Sequence, residues 1–287
     1  MISFICPSIR PQYWQSLRDQ IAFKELEFEI IFLGPVKNFY KIPENCRHIR
    51  TFVKPAQCYQ AGVVNSKYKY MAFLTDDITF NKTNYLEMIY KNINLVENSR
   101  TILSFKFSSY GVNLWGKMKE YNSMSLPVCA VMKKSDFFKI GGIDRRFISV
   151  MHDVDLYLRF LESGFKNIFL NVIATEKIRT LGFPSLYNKF YNKDGALFKQ
   201  LWFKDKVFSL ERRDSVKKYS NKNLTNITVK PYGKWKNTNY IINIFRYNKI
   251  YFLLIKFLTL DFNFIYNFYQ KNKNKYFFKK LKKLLKD

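Results

Sequence analysis

The chain holds 287 residues, of which 47% are hydrophobic and 18% aromatic, with a formal net charge of +27. That is enough apolar material for one large α/β domain with an appendage, or for two small domains, and it excludes a globally disordered chain. With only 10 Gly and 8 Pro, collagen-like and linker-like chains are excluded too. The charge is uneven: residues 1–205 carry a net +11 and residues 206–287 a net +16. An anionic neighbour is therefore expected, whether lipid headgroups, nucleic acid or a phosphorylated substrate.

In chain order, residues 2–6 read as a strand ended by Pro7-Ser8, and residues 12–23 as a helix. FEIIFL at 28–33 is a second strand stopped by Gly34-Pro35, and 48–53 a short third. Pro55 opens a helix over 56–66, because proline is tolerated in the first helical turn. Residues 70–74 form a fourth strand that ends at Thr75-Asp76-Asp77. A helix over 84–98 follows from Leu86, Ile89, Ile93 and Val96 at 3/4 spacing. Residues 101–107 and 128–132 are strand-like, 153–163 is a helix closed by Gly164 in the left-handed conformation, and 168–173 is a last strand. Strands alternating with helices predict a mostly parallel sheet flanked by helices, with ligands at the carboxyl ends of its strands.

From residue 206 the character changes. Residues 206–239 are polar and Lys/Asn-rich, and 240–269 are aromatic but interrupted by Arg246, Lys249, Lys256 and Asp261. No run of about 18 apolar residues spans a membrane. The segment Phe277, Phe278, Leu281, Leu284 and Leu285, interleaved with lysines, reads as a basic amphipathic helix suited to an anionic membrane surface. The expected division is thus a domain at 1–205 and a basic, aromatic, helical, membrane-peripheral extension at 206–287.

Four cysteines form no CxxC pair, and with two histidines in the chain they argue against a zinc site. Cys6 and Cys129 lie in apolar runs and read as buried. MISFICPSIRPQYW lacks a basic leader before a long apolar stretch, so a reducing, cytoplasmic compartment is expected.

Two segments have the residue types for chemistry. Asp76 and Asp77 follow the strand YMAFL, and adjacent carboxylates at a strand end can hold a hard divalent cation that also binds phosphate. The plain alternative is a solvated acidic turn. Gly141-Gly142-Ile143-Asp144 precedes His152-Asp153-Val154-Asp155, and Gly141-Gly142 permits a tight turn. Asp155 and Arg159 are spaced to pair on a helix. Residues two apart on a helix point about 200° apart, so Asp153 and Asp155 cannot face one site. One of them is chemical or capping and the other structural, and a simple N-cap is the plain alternative for Asp153.

Taken together, in this order and at these distances, Pro7-Ser8, Thr75-Asp76-Asp77, Gly141-Gly142-Ile143-Asp144 and His152-Asp153 resemble the family 2 glycosyltransferases of GT-A fold. KPAQCYQAG at 54–62 looks like that family's donor-side helix, and DGALFKQLW at 194–202 like the end of its domain, so the resemblance covers residues 1–204. It implies a GT-A type, Rossmann-like sheet and an inverting transfer of sugar from a nucleotide sugar to an acceptor hydroxyl. The setting it implies is surface glycan or polysaccharide synthesis. It implies a divalent cation (Mn²⁺ or Mg²⁺) held by Asp77 and Asp76, and donor contacts from Pro7, Ser8, Arg10, Gln57 and Asp76. Gly142 and Asp144 would lie on the acceptor side, with Asp153 as the catalytic base. The acceptor would be a glycan or lipid-linked, reached from the inner face of the cell membrane.

The departures are Leu33-Gly34-Pro35 where an acid often follows the second strand, Thr75 for the first acid of DxD, and His152 for glutamate. No His follows the last strand, where Lys177 and Arg179 stand instead as candidate phosphate contacts. A nucleotidyltransferase would need a Gly-rich basic loop after the first strand, which is missing. A nucleic-acid-binding protein fits the charge, but no RRM, KH, helix-turn-helix or zinc pattern is present, which argues against a nucleic-acid partner. Thr75 and His152 also leave room for a catalytically inactive glycosyltransferase-like scaffold.

Overall fold

The runs ISFICP and FEIIFLG form strands Ile2–Pro7 (β1) and Phe28–Gly34 (β2), apolar along nearly their whole length and buried on both faces. Near-continuous apolar strands of this kind belong inside a sheet covered on both sides. In the computed structural model the described residues are 1–22, 26–36, 41–81, 85–109, 112–113, 116–117, 119–176 and 186–219. Residues 220–287, with the expected tail helix, lie outside them, as do Lys177 and Arg179.

The remaining strands are Cys46–Arg50 (β3), Tyr70–Phe73 (β4), Ile78–Phe80 (β5), Thr101–Ser109 (β6), Val112–Asn113 (β7), Val131–Lys133 (β8) and Lys166–Glu176 (β9). They assemble in the order β3-β2-β1-β4-β8-β6-β9-β5, with β7 paired to β6. β1, β2, β3 and β4 run parallel, as do β6 and β9, while β8 sits antiparallel between β4 and β6. Two antiparallel pairings in a row bring β6 and β9 back to the direction of β1. Most strands therefore end at one edge of the sheet. The α/β, mostly parallel, Rossmann-like sheet of the GT-A expectation is what forms.

The helices are Trp14–Ile21 (α1), Pro55–Asn65 (α2), Tyr85–Asn98 (α3), Lys134–Lys139 (α4), His152–Glu162 (α5) and Leu186–Trp202 (α6). Alternation along β1 and β2 feeds two cores. Ile5, Ile31 and Leu33 point to the side of α2, α5 and α6, while Phe4, Ile30 and Phe32 point to that of α1 and α3. α2 lies close on the sheet because residue 62 is glycine: a Cβ there would overlap the Ile5 side chain. α5 closes as expected, with Gly164 at φ +80° and Phe165 N–H donating to Phe160 carbonyl at 3.0 Å.

Some expectations shift. The third strand is 46–50 rather than 48–53, and the strand expected at 128–132 is the three-residue Val131–Lys133. β5, α4 and the full length of α6 were not anticipated. Past α6 the chain forms a hairpin, Phe203–Lys204 (β10) against Val207–Phe208 (β11), so the division expected at 205/206 falls inside a turn. Residues 206–219 pack onto the preceding body: Phe208 is buried, and Ser209 and Arg213 N–H groups donate to Trp202 and Leu201 carbonyls at 2.8 and 3.0 Å. Among the described residues no helix is long and apolar enough to cross a membrane.

Candidate active site

The edge where β1 and β4 end is built around one carboxylate. Asp76 Oδ2 accepts from Ser8 Oγ at 2.8 Å and from the Ile9 and Arg10 N–H groups, both at 2.9 Å. Its Oδ1 accepts from Arg10 Nη1 at 2.6 Å. Ser8 Oγ in turn receives Trp14 Nε1 at 2.6 Å, and Trp14 stacks on Phe32 at 4.5 Å. Asp76 thus clamps the loop after β1 to the end of β4. Burial pushes its carboxyl above the ordinary range, opposed by Arg10 and reinforced by Asp77. Arg10 Nη1 also lies 2.6 Å from Asp77 Oδ2, so one guanidinium bridges both carboxylates.

Across the edge, α2 and α6 shape the loop that leads into α5. The Ala56 N–H donates to Ile148 carbonyl at 3.0 Å, and Gln57 Nε2 to Phe147 carbonyl at 2.9 Å. Gln60 Oε1 accepts the Ile143 N–H at 2.8 Å. Gln57, expected on the donor side, is buried at 2% exposure with its amide directed into this loop. A helix that packs this tightly on the loop turns its polar residues inward. Gly142, at φ +69°, lies against Gln60, and a Cβ there would overlap Gln60 Oε1. Its place in the turn is set by conformation and by this close approach. Asp194 of α6 accepts the Ile148, Ser149 and Val150 N–H groups at 2.8–3.2 Å. Three donors in succession hold that loop just before Met151, which takes the left-handed conformation at φ 61°.

Asp144, expected on the acceptor side, is fully buried and bound by Arg146 Nη2 and Arg212 Nη2, each at 2.7 Å. Burial acts to raise its carboxyl, but the hydrogen bonds from Arg146 and Arg212 outweigh that and hold it below the ordinary range. Asp155 is equally committed. It accepts Arg159 Nε and Arg212 Nε, each at 3.0 Å, on different oxygens, and Trp202 Nε1 at 3.0 Å. The i, i+4 pairing expected of Asp155 and Arg159 is present. Arg212 and Trp202 were not expected as its partners, because they lie 57 and 47 residues away in sequence.

Asp153 differs from all of these. It stands in the first turn of α5, half-buried, and makes no hydrogen bond or ion pair among the described residues. The helix starts one residue before it and no side chain caps its end, so Asp153 is not the N-cap. Its surroundings tie it to the Asp76–Asp77 edge. Tyr59 donates to Leu74 carbonyl at 3.0 Å and lies 5.1 Å from the His152 ring, and the Ala130 N–H donates to Tyr157 Oη at 3.2 Å. The Cys129 thiol is pushed up by burial and further by the charges of Asp153, Asp77 and Glu176. Cys6 and Cys129 are buried, as expected.

Among the described residues no group of three or more His, Cys, Asp or Glu side chains is placed to hold a metal ion. An all-protein metal cage does not fit. A cation shared with phosphate oxygens needs only one or two carboxylates, and for that the donor set suffices. Asp76 has both oxygens engaged by Ser8, Ile9 and Arg10, and Asp77 is paired with Arg10. Thr75 Oγ1, next to them, is buried with no hydrogen-bond partner among the described residues.

No protein-family model and no curated protein matches the chain. Among solved structures it is similar to residues 1–349 of TarS from S. aureus, with TM-score 0.41 and 10% identity over 67% of this chain and 62% of that one. The chain thus spans less than two thirds of the length of that structure.

Proposed function

We propose that the protein transfers a sugar from a nucleoside-diphosphate sugar to an acceptor hydroxyl with inversion, as the family 2 glycosyltransferases that its motifs resemble do. The observation that carries this reading is the state of Asp153. Asp76, Asp144, Asp155 and Asp194 are each bound by two or more donors, while Asp153 alone of the five has none among the described residues. A carboxylate left unbonded at the sheet edge where ligands bind is available to accept a proton.

In this reading Asp153 takes the proton of the acceptor hydroxyl as that oxygen attacks the sugar. With the base on the face opposite the leaving diphosphate, one in-line displacement inverts the anomeric centre. Pro7 and Ser8 border the donor, and Asp76 fixes the loop that carries them together with Arg10. Asp77 would hold a divalent cation, which when bound neutralises charge on the departing diphosphate. Gly142 and Asp144 act on the acceptor side only through the loop they hold. The net +16 of residues 206–287 supports an anionic membrane surface and a lipid-linked glycan acceptor, reached from the cytoplasmic face.

The test is a thermal-shift screen of nucleoside diphosphates and nucleotide sugars with Mn²⁺ or Mg²⁺. A ligand at 100 times its dissociation constant adds about 2.7 kcal/mol of stability. If no nucleoside diphosphate stabilises the protein and no nucleotide sugar is hydrolysed or transferred, the reading fails.

A further inference from the structure

Residues 212–218 were expected to belong to the extension, yet they run along the turn that leads into α5. The Arg145 N–H donates to Lys217 carbonyl at 3.1 Å. Arg146 Nη1 lies 2.6 Å from Asp214 Oδ2, and its Nη2 donates to Ser215 carbonyl at 3.2 Å. Gly141, at φ +99°, is so close that a Cβ there would lie 3.3 Å from the Val216 and Lys218 side chains. One side chain of this strap reaches further. Arg212, with its side chain 4% exposed, donates from Nη2 to Asp144 Oδ2 at 2.7 Å and from Nε to Asp155 Oδ1 at 3.0 Å. Its Nη1 donates to Asp214 carbonyl, and its backbone N–H donates to Glu162 Oε1 at 2.8 Å. The guanidinium thus fastens the turn before α5 to the first turn of α5, and the backbone of the same residue holds the helix's other end. Asp153 stands in that first turn.

We infer that Arg212 is a positioning residue for Asp153, and that the strap it belongs to is part of the active site rather than of an extension. This rests on the proposed sugar-transfer reading for what Asp153 does, while the placement of α5 by Arg212 stands on the geometry. A planar guanidinium presents donors in a rigid fork, so a bridge between two carboxylates fixes both their separation and their angle. Without it Asp144 keeps Arg146 and Asp155 keeps Arg159, but the two pairs are no longer joined. The turn and the helix then hold their own structure while the start of α5 loses its place against the sheet edge. A displacement of about 1 Å in a reacting group costs about 10²-fold in rate. Donor binding is spared, because Asp76 holds the loop after β1 through Ser8, Ile9 and Arg10 without the strap. An asparagine at 155 keeps the bridge, since its amide oxygen still accepts from Arg212 Nε; loss of Arg212 does not.

The experiment compares Arg212→Gln with Arg213→Gln in the full chain, since the Arg213 side chain donates to Phe203 carbonyl instead. Hydrogen exchange followed by mass spectrometry is expected to speed up about tenfold or more over residues 141–156 in Arg212→Gln. Residues 2–7 and 28–34 should be unchanged, and Arg213→Gln should exchange like the unaltered protein. In transfer assays kcat is expected to fall about 10²-fold, with the KM for nucleotide sugar within about twofold. Added to Asp153→Asn, the loss of Arg212 should lower kcat no further, because it acts through that carboxylate, whereas independent effects add. Exchange that rises equally in β1, β2 and α5 overturns the inference, and so do losses in kcat that add. Arg212→Lys, which keeps the charge and loses the fork, carries the same comparison where Arg212→Gln does not fold. If neither folds the inference also falls, because Arg212 then holds the whole domain and not the place of α5. If exchange changes as expected but the unaltered protein neither hydrolyses nor transfers any nucleotide sugar, the sugar-transfer reading falls while the placement of α5 by Arg212 holds.

Discussion

Two clusters of aspartate and arginine, one after β4 and one around α5, differ in what surrounds them. In one, Arg10 bridges Asp76 and Asp77 with its own side chain partly open to solvent. In the other, Asp144 and Asp155 are 0% exposed and are tied together by Arg212, with Arg146, Arg159 and Trp202 completing their hydrogen bonds. The first cluster is bridged by a single guanidinium. The second has every charge locked by several partners from distant parts of the chain. The same residue types thus form one bridged pair in the first cluster and a network of several arginines in the second. Asp153 and Asp155, two residues apart on α5, fall on opposite sides of this division because the helix turns their side chains about 200° apart.

The comparison breaks most readily at Asp155. Asp155→Asn leaves Arg159 buried without its anion and Arg212 with Asp144 alone, and a loss of about 3–5 kcal/mol in urea unfolding is expected. Where the variant is still folded, turnover should stay within about tenfold of the original, because Asp155 faces away from the site. A stability loss under about 1 kcal/mol would show that the buried cluster does not hold α5 in place.

Asp153→Asn tests the other side. Steady-state transfer assays are expected to show turnover lower by about 10²–10⁴, the usual cost of losing a general base. Stability should change by less than about 0.5 kcal/mol, since the carboxylate has no partner among the described residues to lose. If Asp155→Asn lowers turnover more than Asp153→Asn at equal stability, the two aspartates have been assigned the wrong way round.

The smallest effect concerns His152, the buried first residue of α5. Burial lowers its imidazole below the ordinary 6.5, although the charges of Asp153, Asp194 and Asp155 act to raise it. In the folded protein it stays neutral, whereas the unfolded chain takes up a proton as pH falls through 6.5. Stability therefore falls as pH drops below that value, down to the folded pKa, by at most about 1.4 kcal/mol per pH unit. His152→Gln should flatten this slope between pH 6.5 and 5 in urea-unfolding curves. His48, also lowered by burial, is left to titrate as before. An unchanged slope would mean that His152 takes a proton in the folded state.

Much of the fold was legible in the sequence. ISFICP, FEIIFL and YMAFL announce buried parallel strands because only a doubly covered sheet accepts such unbroken apolar runs. Gly141-Gly142 and Gly164 mark turns because L side chains avoid positive φ. Asp76, Asp77 and Asp153 stand out in the sequence because they follow a strand or open a helix.

What the sequence by itself determined is therefore local: strand, helix and turn, and which carboxylates stand at the edge of a sheet. What only the tertiary structure decided is which of those carboxylates have partners. Gln57 faces a neighbouring loop, Asp144 and Asp155 are held by an arginine from beyond residue 205, and Arg10 sits between Asp76 and Asp77. Pairings across such distances leave no periodic trace along the chain. Whether a charge is free or spent depends on what folds against it, and that is fixed only when the sheet brings remote segments within hydrogen-bonding distance.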